Sequence, residues 1–155
     1  MASKKKSWKE KLNNSNGLPK VEMLPLNCKW GSGAMLIPAP IEVDEIMKTV
    51  PKGKLITTNE IRKKLAKKHG TNIACPLTTG IFTWIAANAA EEDAINGIKN
   101  HTPYWRTLKT GGELNPKYPG GIEQHKSLLE AEGFTIIQKG KKWLVKNFEA
   151  YLISS

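Results

Sequence analysis

Cys75 is followed at once by Pro76, in what reads as the opening turn of a helix. Proline is tolerated there, and a helix N-terminus lowers a thiol pKa. With Lys68 and His69 shortly before it, Cys75 is a candidate reactive thiol, as a nucleophile or for redox chemistry. A single cysteine at a helix start also serves as an inert cap or core residue, and both roles stay open. Cys28 forms neither a C-x-x-C pair nor a disulfide framework with it. The three histidines, His69, His101 and His125, are scattered and complete no zinc spacing, so no metal and no cofactor is expected.

Charge is the second chemical signal. The 155 residues carry 24 Lys+Arg against 14 Asp+Glu, a formal +10, an excess that favours a polyanionic partner. Residues 1–40 hold 7 basic and 2 acidic residues, so half of that excess lies in the first quarter of the chain. The cluster Lys4, Lys5, Lys6, Lys9 and Lys11 reads equally as a solubilising tail. The polar start has no apolar signal core, and no apolar run reaches the roughly 20 residues of a membrane span. The expectation is a cytoplasmic protein without membrane contact, nucleoid-associated in a bacterial source.

These residues need elements to hold them. Residues 1–40 contain Pro19, Pro25, Pro38 and Pro40 and a Gly31-Ser32-Gly33 link, a density that argues for an extended arm without helix or central strand. From residue 41 the pattern tightens. Glu42, Asp44 and Glu45 open a short helix, and Lys54 to Thr57 is extended. Thr57 or Thr58 then caps a helix with Ile61 and Leu65 on one face and Arg62, Lys63, Lys67 and Lys68 on the other, stopped at Gly70. In the helix after Cys75, Ile81, Phe82, Ile85 and Ala89 line one side. Thr79, Gly80, Thr83, Ala86, Ala87 and Ala90 line the opposite one. A side with neither bulk nor charge means close approach, either by another helix or by a nucleic-acid groove. Two helices across a short turn give a helix-turn-helix outline.

Beyond Asn100 lies an aromatic, basic stretch, Tyr104-Trp105-Arg106, and then a short strand, Thr107-Leu108-Lys109. Gly111-Gly112 and Pro119-Gly120-Gly121 bracket a loop holding Asn115, Lys117 and Tyr118. A helix from Ile122 to Glu132 places Ile122, His125, Leu128 and Leu129 on one face, and Phe134 to Val145 reads as a β-hairpin.

Taken in order, several of these strings resemble the DNA-binding domain of the O6-alkylguanine-DNA alkyltransferases and their non-enzymatic relatives, the alkyltransferase-like proteins. They are Val50-Pro51-Lys52-Gly53-Lys54-Leu55, the frame Pro103 to Arg106, and Tyr118-Pro119-Gly120-Gly121-Ile122-Glu123 followed by Leu128-Leu129-Glu130-Ala131-Glu132-Gly133. The resemblance spans residues 41–133, and residues 1–40 have no evident counterpart. The family's chemistry uses Pro-Cys-His-Arg, whereas this chain reads Pro103-Tyr104-Trp105-Arg106. A phenol with pKa near 10 and an indole replace nucleophile and activator, so the resemblance implies an inactive homologue. The alkyltransferase-like branch usually keeps the histidine, which this chain has lost.

By the same resemblance the family's groove tyrosine falls on Thr58, its arginine finger near Thr83 or Trp84, and its relay acid on Glu123. The implied DNA-contacting set is Thr58, Arg62, Lys63, Thr79, Gly80, Thr83, Trp84, Ala87, Arg106 and Lys109, with Tyr104, Trp105 and Tyr118 at the base pocket. Tyr104, Trp105 and Trp84 serve either as a stacking platform for an extruded base or as filling where the alkyl pocket was.

The resulting expectation is a mainly α fold with small β content. A winged helix-turn-helix domain over 41–155 follows an extended arm over 1–40, and a β-hairpin lies near the C-terminus. Its partner is double-stranded DNA read through the minor groove, with DNA-repair proteins as further partners and alkylated or distorted bases as the target. Two other classes remain: an enzyme acting through Cys75, and a protein-interaction module.

Overall fold

Ser7 Oγ accepts the Glu10 backbone N–H at 3.1 Å and so caps a short helix, α1 (Trp8–Asn13). The computed structural model describes residues 7–15, 17–25, 28–29 and 32–153; Lys4, Lys5, Lys6 and Gly31 lie outside the described residues. Two strands follow, β1 (Lys20–Met23) and β2 (Ala34–Ile37), paired antiparallel. Pro40 then takes the first position of α2 (Pro40–Lys48), where its missing N–H costs nothing. Glu42 Oε1 reaches back to the Ala39 N–H at 3.1 Å and closes that helix end.

Strand β3 (Ile56–Thr57) runs straight into α3 (Thr58–His69), which buries Ile61 and Leu65 and stops at Gly70. Gly70 has a φ of 66°, a left-handed conformation that glycine adopts without strain because it has no Cβ. Strand β4 (Ile73–Ala74) leads to α4 (Pro76–Ile95), the longest helix among the described residues. A single 3-10 turn at Tyr104–Arg106 precedes β5 (Thr107–Leu108). Helix α5 (Gly121–Ala131), the hairpin β6 (Ile136–Lys139) with β7 (Lys142–Val145), and a further 3-10 turn at Phe148–Tyr151 complete the order of the described residues, a mixed fold rich in helix.

Among the described residues the strands form three small sheets, one of them the β6–β7 hairpin. Strand β2 lies between β1 and β4, parallel to the latter, and β3 lies parallel to β5. This corrects the reading of residues 1–40 as an extended arm. Their prolines fall outside the strands, so no ladder donor is lost. Leu36 and Leu12 are buried in the main core beside Val43, Met47, Ile61 and Leu65. A second apolar cluster, including Leu108, Leu114, Leu129 and Val145, sits under the hairpin. Leu55 joins this cluster, and its backbone N–H and C=O pair with Tyr151 O at 2.8 Å and Ile153 N at 3.0 Å.

Helix α4 is the hub. Its uncharged small residues Thr79, Thr83, Ala86, Ala87 and Ala90 are buried. The close approach inferred from them is therefore made by the protein's own helices: α4 packs against α1, α2 and α3. The side assigned to the core divides differently: Phe82 and Ala89 are buried, Ile85 is half-buried and Ile81 faces solvent.

The acidic end of α4 explains how α1 docks. Glu92 accepts the backbone N–H groups of Trp8 at 2.8 Å and Lys9 at 3.1 Å, capping a helix from 84 residues away in sequence. Lys9 Nζ meets Asp93 at 2.7 Å, and the Trp8 ring stands edge-on to Trp84 with centroids 4.7 Å apart. Replacing Glu92 with alanine leaves two helix N–H groups without their acceptor. Glu92→Ala is expected to cost about 1 kcal/mol in urea unfolding and to abolish amide-exchange protection at Trp8 and Lys9. Unchanged exchange at both amides contradicts the capping role.

Candidate nucleic-acid interface

The solvent side of α4 is set by its first three turns. Leu77 is 62% and Ile81 50% exposed, with the half-buried Gly80 and Trp84 beside them. A Cβ on Gly80 meets nothing within 4 Å, so the glycine leaves bare backbone facing open space. Two depressions meet along this edge. One, of about 400 Å³, lies between Thr58, Pro76 and Gly80 on the helix side and Lys109, Asn115 and Lys117 on the loop side. The other, of about 490 Å³, is lined by Gly80, Ile81, Trp84, Asn115 and Lys117. Gly80, Asn115 and Lys117 belong to both, which makes one continuous groove with exposed Lys109 and Lys117 on its rim. Glu113 also lines the first depression and partly offsets that charge.

A second cationic area lies where α3 meets β4. Arg62 donates from Nε to the Ala74 carbonyl at 2.9 Å and thereby fastens the two elements, while Lys63 is exposed beside it. Lys68 is engaged elsewhere: Lys68 Nζ at 3.0 Å and His69 Nε2 at 2.6 Å both meet Glu42. Burial pushes the Glu42 carboxyl up, but hydrogen bonds from His69, the Ala39 N–H and Lys68 outweigh it and hold it below its ordinary value.

Several residues assigned to DNA contact have other work. Thr79, Thr83 and Ala87 are buried against the protein itself, and Thr83 Oγ1 donates to the Gly80 carbonyl at 2.7 Å. Thr83 reaches only the floor of the first depression. The Arg106 guanidinium forks onto Glu132 at 2.9 and 2.6 Å and donates to the Val50 carbonyl at 2.9 Å, leaving it committed inside the fold. Trp84 is braced by Trp8 rather than free to stack. Thr58, Gly80, Lys63 and Lys109 do stand at the surface groups described above, with Arg62 at their edge. Ile81, Leu77, Asn115 and Lys117 complete the groove. The sequence groups Ile81 with Phe82, Ile85 and Ala89 on one side of the helix, whereas Ile81 faces solvent.

The base-pocket set is likewise packed. Tyr104 is buried, with its ring against Trp105 and Tyr118 at centroid distances of 5.4 Å each. Gln124 Nε2 donates to Tyr104 Oη at 2.9 Å, and burial pushes the phenol up to about 12. It is no nucleophile at neutral pH. Tyr118 Oη donates to the Thr107 carbonyl at 3.2 Å, and its full burial also pushes its pKa up. Of the two roles weighed for Tyr104, its burial fits filling, and Tyr118 is packed in the same way. Cys75, only 5% exposed, lacks the solvent access that a reactive thiol needs.

His125, which the sequence places on one helix face with Ile122, Leu128 and Leu129, ties the site together. It is fully buried. Nδ1 accepts the Asn115 backbone N–H at 3.1 Å, so the ring proton lies on Nε2, which donates to the Trp105 carbonyl at 2.8 Å. The neutral ring thus holds the groove-rim loop against the Tyr104–Arg106 turn. Desolvation lowers its pKa to about 4, the hydrogen bond to Trp105 opposing only in part.

With this geometry in view, two solved structures share the fold. They are S. pombe Atl1 in complex with damaged DNA containing O6-carboxymethylguanine, and S. pombe ATL in complex with DNA. Each is 22% identical with a TM-score of 0.53, over 75% of this chain and 94% of the other. No protein-family model matches the sequence, and no curated protein does.

Two measurements follow. The folded-state pKa of His125 lies below its unfolded value near 6.5, so its contribution is complete above that pH. It falls as pH drops from about 6.5 toward about 4, because only the unfolded chain takes up the proton. The loss is about 3 kcal/mol by linkage, and His125→Gln is expected to flatten this part of the pH–stability curve; an equal slope in the variant refutes it. A small thiol reagent is expected to label Cys28 in the native protein and Cys75 only after denaturation, read by intact mass. Rapid labelling at Cys75 contradicts its burial.

Proposed function

We propose that the protein binds duplex DNA through the minor groove and senses alkylated or distorted bases, without transferring an alkyl group. The observation that carries this reading is the outward edge of α4. It offers bare backbone at Gly80 and two exposed apolar side chains, Leu77 and Ile81, beside a groove rimmed by Lys109 and Lys117. A minor groove about 6 Å wide accepts a helix only where side chains are short or are used as wedges between base steps. Leu77 and Ile81 suit the second role, and Gly80 the first. Lys109, Lys117, Lys63 and Arg62 then supply phosphate contacts on either side. That both structural neighbours are bound to DNA, one of them to damaged DNA, supports the same reading.

In this arrangement α3 and α4 act as the helix-turn-helix and the β6–β7 hairpin as its wing. Non-transfer follows from the chemistry at Tyr104. Its phenol is buried, protonated and already hydrogen-bonded, and the neighbouring Trp105 indole is no base. The role is that of a lesion reader in DNA repair, working in the compartment that holds the DNA and handing the site to repair proteins.

Competition gel shifts test this with plain duplex and with duplexes carrying O6-methylguanine or O6-carboxymethylguanine. The lesion duplexes are expected to compete about tenfold better; equal competition removes lesion sensing. Ile81→Glu, on the solvent side, is expected to weaken duplex binding about tenfold or more without changing thermal stability. Lys109→Gln and Lys117→Gln should each reduce the salt slope by about 0.9. Full binding by the Ile81 variant excludes α4 as the reading helix.

A further inference from the structure

Helix α4 carries Glu91, Glu92 and Asp93 in its last two turns and no lysine or arginine anywhere along it. Carboxylates at that end face the negative pole of the helix dipole. On a helix laid against phosphates they add repulsion as well. Each is met from within the fold. Glu91 lies 3.5 Å from Tyr104 Oη and from Gln124 Nε2. Glu92 takes the two N–H groups at the start of α1, and Asp93, 9% exposed, takes Lys9 Nζ at 2.7 Å. Lys11 Nζ adds a further positive charge 4.2 Å above the Trp8 ring, on the helix whose Trp8 packs against Trp84.

We propose that α1 is an electrostatic cover that completes the DNA-reading face. By docking on the acidic end of α4 it screens Glu92 and Asp93 from approaching phosphates, so that a helix of net negative charge can serve a polyanion. This rests on the DNA reading above. It assigns the N-terminal segment a part in binding that differs from that of a loose cationic tail: Lys9 acts through Asp93 and is a positioning residue, not a phosphate contact. The cover acts at a distance, since Glu92 lies two turns beyond Trp84. Its effect is therefore greatest where screening is weak, with a Debye length of about 30 Å at 0.01 M salt against about 8 Å at 0.15 M.

The test uses the full chain and plain duplex in gel shifts at those two ionic strengths, with thermal melts alongside. Lys9→Gln is expected to lose about fivefold in affinity at 0.01 M and most of that deficit to vanish at 0.15 M. Asp93→Asn breaks the same ion pair and is expected to lower the melting temperature, yet to bind duplex at least as well as the wild type. The pair Lys9→Gln with Asp93→Asn should return to within about twofold of wild-type affinity. An Asp93→Asn variant whose binding falls with its stability overturns the cover and makes the docking purely mechanical. A double variant as weak as Lys9→Gln alone overturns it in favour of direct phosphate contact by Lys9. A wild-type chain that fails to bind duplex at all defeats the DNA reading itself and this inference with it.

Discussion

The structure depends on one helix that neighbours can approach closely. Alanine and threonine along α4 let α1, α2 and α3 all pack onto it, and the core that results holds Leu12, Leu36, Met47 and Leu65. Interiors are packed to crystal density, so adding bulk on that side costs stability before it costs binding. Thr83 illustrates this. A glutamate there would be buried in the core, and loss of binding would then report unfolding. Over its first three turns the side of α4 left to solvent is narrow: Leu77 and Ile81 are exposed there, with Gly80 and Trp84 half-buried beside them.

Much of the helical framework was legible because it is written locally. Pro76 and Gly70 mark helix ends by backbone chemistry alone, and Ile61 with Leu65 gives the buried face of α3. The hairpin of residues 136–145 was equally visible from its alternation around Lys139-Gly140-Lys141. The described elements before residue 40 were misread because, apart from the Ser7 cap of α1, their specifying contacts are distant in sequence. Strand β2 exists through its pairing with β1 on one side and β4 on the other, and α1 is capped by a carboxylate distant in sequence. One signal was present. Three acids at the C-terminal end of a helix oppose its dipole and so demand a partner.

The two sides of α4 were confused for a different physical reason. Periodicity finds an apolar stripe by contrast with a charged one, and residues 76–90 hold no charge to provide that contrast. With every side uncharged, size became the guide, and size pointed the wrong way: the small residues are inside and Leu77 and Ile81 are outside. The residues around Tyr104 show a related limit. The sequence shows that Cys and His are absent from the frame, but not that Arg106 is spent on Glu132 and Val50, nor that His125 is a neutral brace between Trp105 and Asn115.

The seam at Leu55 has its own consequence. Its two backbone partners sit at residues 151 and 153, across the whole of α4, α5 and the hairpin. During synthesis the segment entering α3 is made before α4, α5 and the hairpin, whereas the residues that pair with Leu55 are made after them, so this seam closes only once residue 153 has emerged. Trimming back to residue 150 strips Leu55 of both bonds and opens a sheet edge to intermolecular pairing, the ordinary route from a shortened product to aggregation.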